Sequence, residues 1–249
     1  MSTTSLPILM RSLGLTTMAR EHDAALARAE AEDWGYPHLL RHLVETEANE
    51  RLRRRVERLL KSSHLPAGKT MASVEPARLP DKVRRQLPTL LTGEFIRRGD
   101  NLLCFGLPGR GKTLFLAALC RELVQQQQMP ILYTTAHRLV TELLIAKRDL
   151  KLERLITKLD RFDAIAIDDL GYTQQSREEM EVLFTLLAER YEKKSVLITS
   201  NLVFSQWDQI FKDPMMTMAA VDRLVHHAVI LEFNGDSYRA TAAKAKSKS

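Results

Sequence analysis

The feature that most constrains the fold is one string, Gly106-Leu-Pro-Gly-Arg-Gly-Lys112-Thr113, which matches the pattern G-x-x-x-x-G-K-[ST] and occurs once. Its glycines let the backbone turn tightly and point N–H groups into a concavity that suits phosphate oxygens. A helix that begins near Lys112 adds the positive end of its dipole. An apolar run precedes the string, and Leu114–Val124 continues as an apolar helix. The string therefore predicts a phosphate-binding loop between a strand and a helix.

The chemistry of the loop predicts ATP, or another nucleoside triphosphate, together with Mg²⁺. Lys112 is expected to place a compact cation on the β- and γ-phosphates, and the Thr113 hydroxyl to ligate the metal. The alternative is a glycine-rich turn that holds no ligand. The residues predicted to contact the nucleotide are Gly106, Leu107, Pro108, Gly109, Arg110, Gly111, Lys112, Thr113 and Leu114.

From about residue 100, short apolar runs alternate with longer helical stretches. This alternation predicts an α/β fold with a parallel sheet that helices cover on both faces. The predicted strands are Asn101–Phe105, Ile131–Thr134, Ala164–Asp168, Val196–Ser200 and Ala228–Phe233.

Two acids, Asp168 and Asp169, end the third predicted strand. Asp168 is expected to hold Mg²⁺ through water, and Asp169 to orient or deprotonate the attacking water. Helix-capping acids after a buried strand are the alternative. The interval from Lys112 has room for an extra strand–helix unit around Ile131–Leu144. An inserted strand between the P-loop strand and the acidic strand is typical of P-loop ATPases with a catalytic acid, and simple nucleotide kinases lack it.

Asn201 directly follows the predicted strand Val196–Ser200. A polar amide at this place can lie between the phosphate and the acidic pair, where it would fix the water. The alternative is an ordinary asparagine in the turn after a strand.

Charge and composition divide the chain into four predicted parts: a helical basic N-terminal domain (1–64), a linker with three prolines (65–80), an ATPase core (81–240) and a disordered basic tail (241–249). The net charge is +6, which favours a polyanionic partner. A basic run on the N-terminal helix is the candidate contact for such a partner, and the family resemblance described below makes that partner DNA, although charged runs on helices usually form solvated faces. Its members are Arg51, Arg53, Arg54, Arg55, Arg58 and Lys61.

Beyond the Mg²⁺ site, the sequence predicts no metal site, and it predicts no membrane-spanning segment. Cys104 and Cys120 lie in apolar runs, which indicates small buried side chains and fits a reducing cytoplasm. His226 and His227 are adjacent, but the sequence shows no third metal ligand. No stretch approaches the roughly 18 apolar residues that a bilayer-spanning helix needs.

Five strings, in their order along the chain, resemble those of the AAA+ ATPases. More narrowly, they resemble the IstB-like transposition helpers and their relatives, the DnaC-type helicase loaders. The N-terminal region also resembles the small helical domain of the helpers. The resemblance implies a P-loop AAA+ (RecA-like) sheet flanked by helices, with a small helical N-terminal domain and little or no C-terminal lid. The strings are Gly106–Thr113, Ile167–Tyr172, Ile198–Asn201, Ala220–His227 and Asp236–Arg239.

The resemblance also implies a homo-oligomer that binds ATP between neighbouring subunits. Arg223 matches the position of the arginine finger that reaches the γ-phosphate of the next subunit, and Arg239 is the candidate for a sensor-2-like role. A surface arginine on a helix is the alternative for Arg223. The implied function is ATP-dependent assembly on duplex DNA and delivery of a cognate transposase, in the bacterial cytoplasm.

Two departures from the family pattern keep other functions open. Asp169 stands where AAA+ proteins usually have Glu, and its shorter side chain predicts slow hydrolysis. Too few residues follow Phe233 for a full helical lid, a truncation that helpers and loaders share. The alternatives are therefore a replicative helicase loader, or a DNA-assembly scaffold in which ATP is a structural switch.

Overall fold

A computed structural model of the chain describes residues 5–171, 176–202, 206–207 and 214–234. The chain divides into two compact units, Met1–Arg58 and Leu59–Ser249. The basic tail predicted at 241–249 lies outside the described residues.

The first unit is helical, as its sequence predicts. α1 spans Leu6–Ser12, α2 spans Thr16–Ala31, and α3 runs from Tyr36 to Ser62, four residues past the end of the unit. Its small core contains buried methionine, alanine and leucine side chains. They are Met10, Met18, Ala19, Ala25 and Leu43.

Glu47, a buried acid on α3, joins two helices of this unit. Its carboxylate accepts hydrogen bonds from the backbone N–H groups of Thr17 (2.7 Å) and Met18 (3.0 Å), which belong to the first turn of α2. Burial would raise the pKa of Glu47, but these bonds and one from Arg51 outweigh it and lower that pKa. Glu47 therefore caps α2 from outside the helix.

The segment 65–80 is irregular but packed. It contains two 3₁₀ turns, Met71–Ser73 and Pro76–Arg78, and it buries Val74 and Leu79 in the core of the second unit. The Arg121 side chain donates hydrogen bonds to two backbone carbonyls of this segment. The connection therefore belongs to the second unit and is held along its length.

The second unit is built on a five-stranded parallel sheet in the order β2-β3-β4-β1-β5. All five strands agree with the predicted ones to within two residues, and the parallel α/β fold is confirmed. The strands are β1 (Asn101–Phe105), β2 (Ile131–Thr135), β3 (Ala164–Leu170), β4 (Ser195–Ser200) and β5 (Ala228–Glu232). The helices are α4 (Asp81–Leu91), α5 (Glu94–Arg97), α6 (Lys112–Gln127), α7 (Ala136–Arg148), α8 (Leu152–Leu159), α9 (Arg177–Arg190) and α10 (Pro214–Val225).

Side chains alternate across β1 and supply two separate cores. Leu102 and Cys104 pack into the layer that contains α4 and α6, while Leu103 and Phe105 pack into the layer that contains α7 to α10. The sheet is thus covered on both faces, which explains why every residue of β1 is buried.

The strand that separates β1 from β3 is β4, which comes later in the chain than both. The extra unit expected around Ile131–Leu144 does exist, but its strand β2 lies at the edge of the sheet. An inserted strand is therefore present as expected, although the interval between Lys112 and Asp168 does not supply it. Sequence spacing alone does not reveal the order of strands in a sheet.

Among the helices that the structure describes, none combines the length and the apolar character that crossing a membrane would need.

Candidate nucleotide site

The loop after β1 has the backbone that its glycines predict. Gly106, Gly109 and Gly111 have φ values of 149°, 81° and 88°. Residues with side chains rarely adopt such values. Gly111 is the N-cap residue of α6, and its carbonyl accepts a hydrogen bond from Phe115 N–H at 2.8 Å. The helix therefore begins at Lys112, directly at the loop.

Gly106 also lets the end of β5 approach the loop. A Cβ atom at this position would lie 2.5 Å from the carbonyl oxygen of Phe233. Phe233 N–H donates to Phe105 carbonyl at 2.7 Å, and the Phe233 ring packs edge-on against Phe115, with ring centroids 5.3 Å apart. The loop is thus fixed from one side by the chain that leaves β5.

Replacing Gly106 with alanine is expected to lower the free energy of unfolding by about 2–6 kcal/mol, because backbone strain and overpacking each cost about 1–3 kcal/mol. Thermal unfolding of the purified chain measures this change. Gly68→Ala is the matched control, since Gly68 has φ 75° but no atom within 4 Å of the added Cβ. Equal losses of stability in the two variants would show that the contact with Phe233 does not matter.

Lys112 lies in the first turn of α6 with only 6% of its surface exposed. Its Nζ donates to the carbonyl oxygens of Gly106 (2.6 Å) and Leu107 (3.1 Å), so the ammonium is folded against the loop itself. Thr113 and Leu114 are half-buried beside it, and Leu107 is exposed. A buried cation at a helix N-terminus is suited to bind an anion.

Asp168 is buried at the end of β3, and hydroxyl groups hold both of its carboxylate oxygens. Tyr133 on β2 donates to Oδ2 at 2.6 Å, and Thr199 on β4 donates to Oδ1 at 2.5 Å. Burial, followed by the charge of Asp168, raises the pKa of the Tyr133 hydroxyl, which keeps it protonated as a donor. The carboxylate is therefore fixed in orientation by its two neighbouring strands.

Asp169 adopts an unusual backbone conformation. Its φ is 59°, and the register of β3 against β4 shifts between Ile167 and Leu170, so that one extra residue is accommodated. Asp169 is exposed between two buried neighbours, and its N–H donates to Thr199 Oγ1 at 2.9 Å. Aspartate tolerates the left-handed region better than most residues, which gives a physical reason for the shorter acid at this position.

Neither Tyr133 nor Thr199 was singled out from the sequence as a site residue. Thr199 belongs to the string Ile198–Asn201, which the sequence does mark. Its bond to Asp168, however, depends on the order of the strands in the sheet. Tyr133 had no signal of its own, since a tyrosine in a buried strand is common in any sheet.

Replacing Tyr133 with phenylalanine is expected to weaken Mg²⁺-dependent nucleotide binding roughly tenfold, because a hydrogen bond to a charged acceptor contributes about 1.5 kcal/mol or more. Titration with a fluorescent ATP analogue at several Mg²⁺ concentrations measures the effect. Tyr191→Phe, which removes a hydroxyl that contacts His226, is the control. An unchanged Mg²⁺ dependence would mean that Tyr133 does not position Asp168.

Asn201 follows β4 at the carboxyl edge of the sheet. Ser200, its neighbour, pairs with Phe105 on one side and with Leu170 on the other. Asn201 is half-buried and directly follows Ser200. It therefore lies next to the ends of both β1, which leads into the loop, and β3, which carries the two acids. The structure thus brings the loop, the acidic pair and Asn201 to one edge.

Arg223 is not brought to this edge. The Asn101 side-chain amide donates to the carbonyls of Leu224 (3.1 Å) and Arg223 (3.4 Å), and Asn101 begins β1. Arg223 therefore lies at the end of β1 opposite to Gly106, about 16 Å away for a five-residue strand. Its guanidinium donates to Ala219 carbonyl and rests 5.0 Å from the ring centroid of Phe184. Arg239 lies outside the described residues.

The donor set fits a magnesium nucleotide. Hydroxyl and carboxylate oxygens are the ligands that Mg²⁺ prefers, and Thr113 and Asp168 offer them at the same edge of the sheet as Lys112. The two thiols fit no such role, because burial raises the pKa of both Cys104 and Cys120.

The basic run on α3 carries less surplus charge than its sequence suggests. Arg53 and Arg54 both pair with Glu50, whose pKa falls to about 2 because these guanidinium groups donate to it. Arg51 pairs with Glu47 and also donates to Gly14 carbonyl. Acids one turn earlier in the helix therefore engage three of the six candidates.

Arg55, Arg58 and Lys61 are all exposed. Arg58 keeps one hydrogen bond, from its Nε to the carbonyl of Arg54. Within the part of the chain that the structure describes, Arg55 and Lys61 form no ion pair.

Comparison with known proteins identifies the family. The family model described as IstB-like ATP binding protein matches residues 8–249. An insertion-sequence ATP-binding protein of Sinorhizobium fredii is 40% identical over 239 residues, which cover 96% of this chain and 80% of the relative. The ATP-binding protein of insertion sequence IS21 from Pseudomonas aeruginosa is 32% identical over 94% of this chain and 88% of the relative.

Solved structures share the fold. The DnaC helicase loader superposes with a TM-score of 0.55 at 15% identity over 62% of this chain and 89% of that one. AMPPCP-bound DnaA from Aquifex aeolicus gives a TM-score of 0.55 at 16% identity over 74% of this chain and 56% of that one. At such identities the likeness concerns the fold alone, and it is the P-loop AAA+ fold.

Proposed function

The chain belongs to the family of IstB-like ATP-binding proteins, and from this premise we propose that it is the ATP-dependent helper of a transposase. It assembles as a homo-oligomer on duplex target DNA and hydrolyses ATP to regulate transposition. The relatives' names tie them to insertion sequences and to ATP, which supports a transposase as the partner. The proposed function belongs to the bacterial cytoplasm, where ATP and target DNA are both present.

One observation carries the proposal: the phosphate-binding residues and the candidate arginine finger lie at opposite ends of β1. Arg223 cannot reach the loop of its own chain across the length of that strand. An arginine placed in this way acts on the site of a neighbouring subunit. ATP bound in such a site would then hold subunits together, which links nucleotide state to assembly.

Each residue of the site has a distinct proposed role. Lys112 binds the β- and γ-phosphates, and Thr113 and Asp168 hold Mg²⁺, which supplies charge stabilisation to the phosphates when bound. Asp169 orients or deprotonates the attacking water, and Asn201 holds that water in line. Arg223 of the adjacent subunit stabilises the charge that develops on the transferred phosphoryl group.

The test is assembly on DNA. Sedimentation of the full chain with duplex DNA is expected to show large complexes with ATP and Mg²⁺, and only small ones without nucleotide. Lys112→Ala should remove that dependence. Complexes of equal size with and without ATP would count against the proposal.

Duplex DNA is proposed to contact the exposed part of the basic run. Replacing Arg55 and Arg58 with glutamate is expected to reduce the slope of log K against log salt concentration by about 2, since each phosphate contact contributes about 0.9. Arg41→Glu, an exposed arginine earlier on α3, is the control. An unchanged slope in the double variant would remove this helix from the DNA site.

A scaffold that binds ATP without appreciable turnover is the second candidate, and the backbone of Asp169 favours it. The left-handed conformation and the short side chain limit how far the carboxylate reaches. Phosphate release that DNA stimulates, and that Asp168→Asn abolishes, would exclude the scaffold. Capture of a replicative helicase in place of a transposase would instead indicate a helicase loader.

A further inference from the structure

Three metal-ligating side chains converge at the amino edge of the sheet, away from the nucleotide site. Glu192 lies in the turn between α9 and β4, and His226 and His227 lie in the turn between α10 and β5. Glu192 Oε1 is 3.8 Å from His226 Nδ1 and 3.8 Å from His227 Nε2. One donor atom from each residue lies within 4.8 Å of the others.

The spacing of these atoms suits a shared ion better than direct bonds. A distance of 3.8 Å exceeds the range of about 2.7–3.2 Å for a hydrogen bond. Two ligands at about 2.0–2.2 Å from a tetrahedral ion stand about 3.3–3.5 Å apart. Small side-chain rotations therefore bring the three atoms into coordination, and the half-exposed side chains are free to make them.

Both turns are anchored to the core, so the ligands start near their bound positions. The buried guanidinium of Arg190 donates to the carbonyls of Phe162 (3.0 Å) and Ser195 (3.2 Å), and Arg190 carbonyl accepts from Lys194 N–H. On the other turn, His227 carbonyl accepts from Asn101 N–H at 2.7 Å. Pre-organised backbone lowers the cost of ordering a site.

The neighbouring charged and polar groups are compatible with a cation. Lys193 and Lys194 pair with Glu189 and Asp163, which leaves the Glu192 carboxylate facing the imidazoles. Tyr191 Oη lies 2.9 Å from His226 Nδ1. When that nitrogen binds an ion, the hydroxyl can donate to Glu192, as an outer-shell partner does.

We propose that Glu192, His226 and His227 bind a divalent transition-metal ion of the Zn²⁺ class, with water completing the coordination. Two imidazoles and one carboxylate are the ligands that such ions favour. The ion would join the ends of α9 and α10. The Arg223 side chain on α10 rests against the Phe184 ring on α9. A metal ion bound at Glu192, His226 and His227 would therefore hold Arg223 in place without contacting the nucleotide.

The test uses the untagged full chain and Zn²⁺ alone, with affinity measured by competition against a chromophoric chelator. His42→Gln is introduced throughout, because His38 and His42 are one turn apart on α3 and form a second candidate pair. One ion per chain is expected to bind at micromolar concentration or below. Glu192→Gln should weaken binding at least tenfold, and His227→Gln should abolish it.

Thermal unfolding gives a second readout that does not involve nucleotide. Zn²⁺ should raise the Tm of the His42→Gln parent but not that of the chain with His227→Gln added. His137→Gln, a histidine on α7 outside the cluster, should leave both readouts unchanged. The proposal would be overturned if the parent and the His227→Gln chain had equal affinity for Zn²⁺, or if the parent bound no Zn²⁺ at a concentration of about 100 μM.

Discussion

Alanine at position 112 is expected to reduce ATP affinity by about 10²–10⁴. The Lys112 ammonium is buried in the first turn of α6 and already holds two loop carbonyls, so it is in place to bind phosphate oxygens. Two charge-assisted contacts contribute about 1.5–3 kcal/mol each, and every 1.4 kcal/mol corresponds to about a tenfold change in affinity. Equilibrium binding of a fluorescent ATP analogue measures the loss.

A second variant separates binding from folding. Lys112 also ties the loop together through Gly106 and Leu107, so its removal can loosen the loop. Lys112→Gln keeps a hydrogen-bond donor but removes the charge, and the Tm of both variants should be compared with that of the unchanged chain. Tight ATP binding by a folded Lys112→Gln chain would show that the loop does not depend on this cation.

Alanine at position 223 is expected to lower ATP turnover by about 10³–10⁵ while ATP affinity stays nearly unchanged, since an arginine finger acts on the charge of the transition state. Arg223→Lys should not restore turnover, because an ammonium lacks the planar, bidentate geometry of a guanidinium. Steady-state phosphate release and ATP binding, measured on the same preparations, check both expectations.

Mixing the two inactive variants tests whether the site is shared. In a mixture of Lys112→Ala and Arg223→Ala chains, roughly a quarter of head-to-tail interfaces combine an intact loop with an intact arginine. Turnover should therefore reappear on mixing. If Arg223→Ala chains alone kept full turnover, or if the mixture stayed inactive while assembling normally, Arg223 would not serve a neighbour.

Local patterns in the sequence predicted the elements of this fold well. The glycines of Gly106–Thr113 specify the loop, and the apolar runs that form β1 to β4 are buried along nearly their whole length. Their burial makes each run continuous, so period and length were sufficient to recognise them. The resemblance to a family added the order of motifs, and the family comparison supports it.

Features that depend on contacts between distant residues escaped prediction. Tyr133 and Thr199 reach Asp168 only because β2 and β4 flank β3, and no local pattern states that order. Glu192 joins His226 and His227 through a turn more than 30 residues earlier.

The shift in register at Asp169 is a further example. From the sequence, a strand that ends in two acids is expected to stay regular, with the two neighbouring side chains on opposite faces of the sheet. The extra residue between Ile167 and Leu170 and the positive φ of Asp169 change that geometry. The bond from Asp169 N–H to Thr199 Oγ1 accompanies them, and only the folded sheet brings these two residues together.

Steady-state phosphate release per chain, measured across chain concentrations with and without duplex DNA, tests most directly whether ATP hydrolysis depends on assembly. A site completed by Arg223 of a neighbour predicts that release per chain rises with concentration, rises further with DNA, and disappears in Asp168→Asn. Release that is independent of concentration and DNA, or that equals the release by Asp168→Asn, would contradict a shared hydrolytic site on DNA.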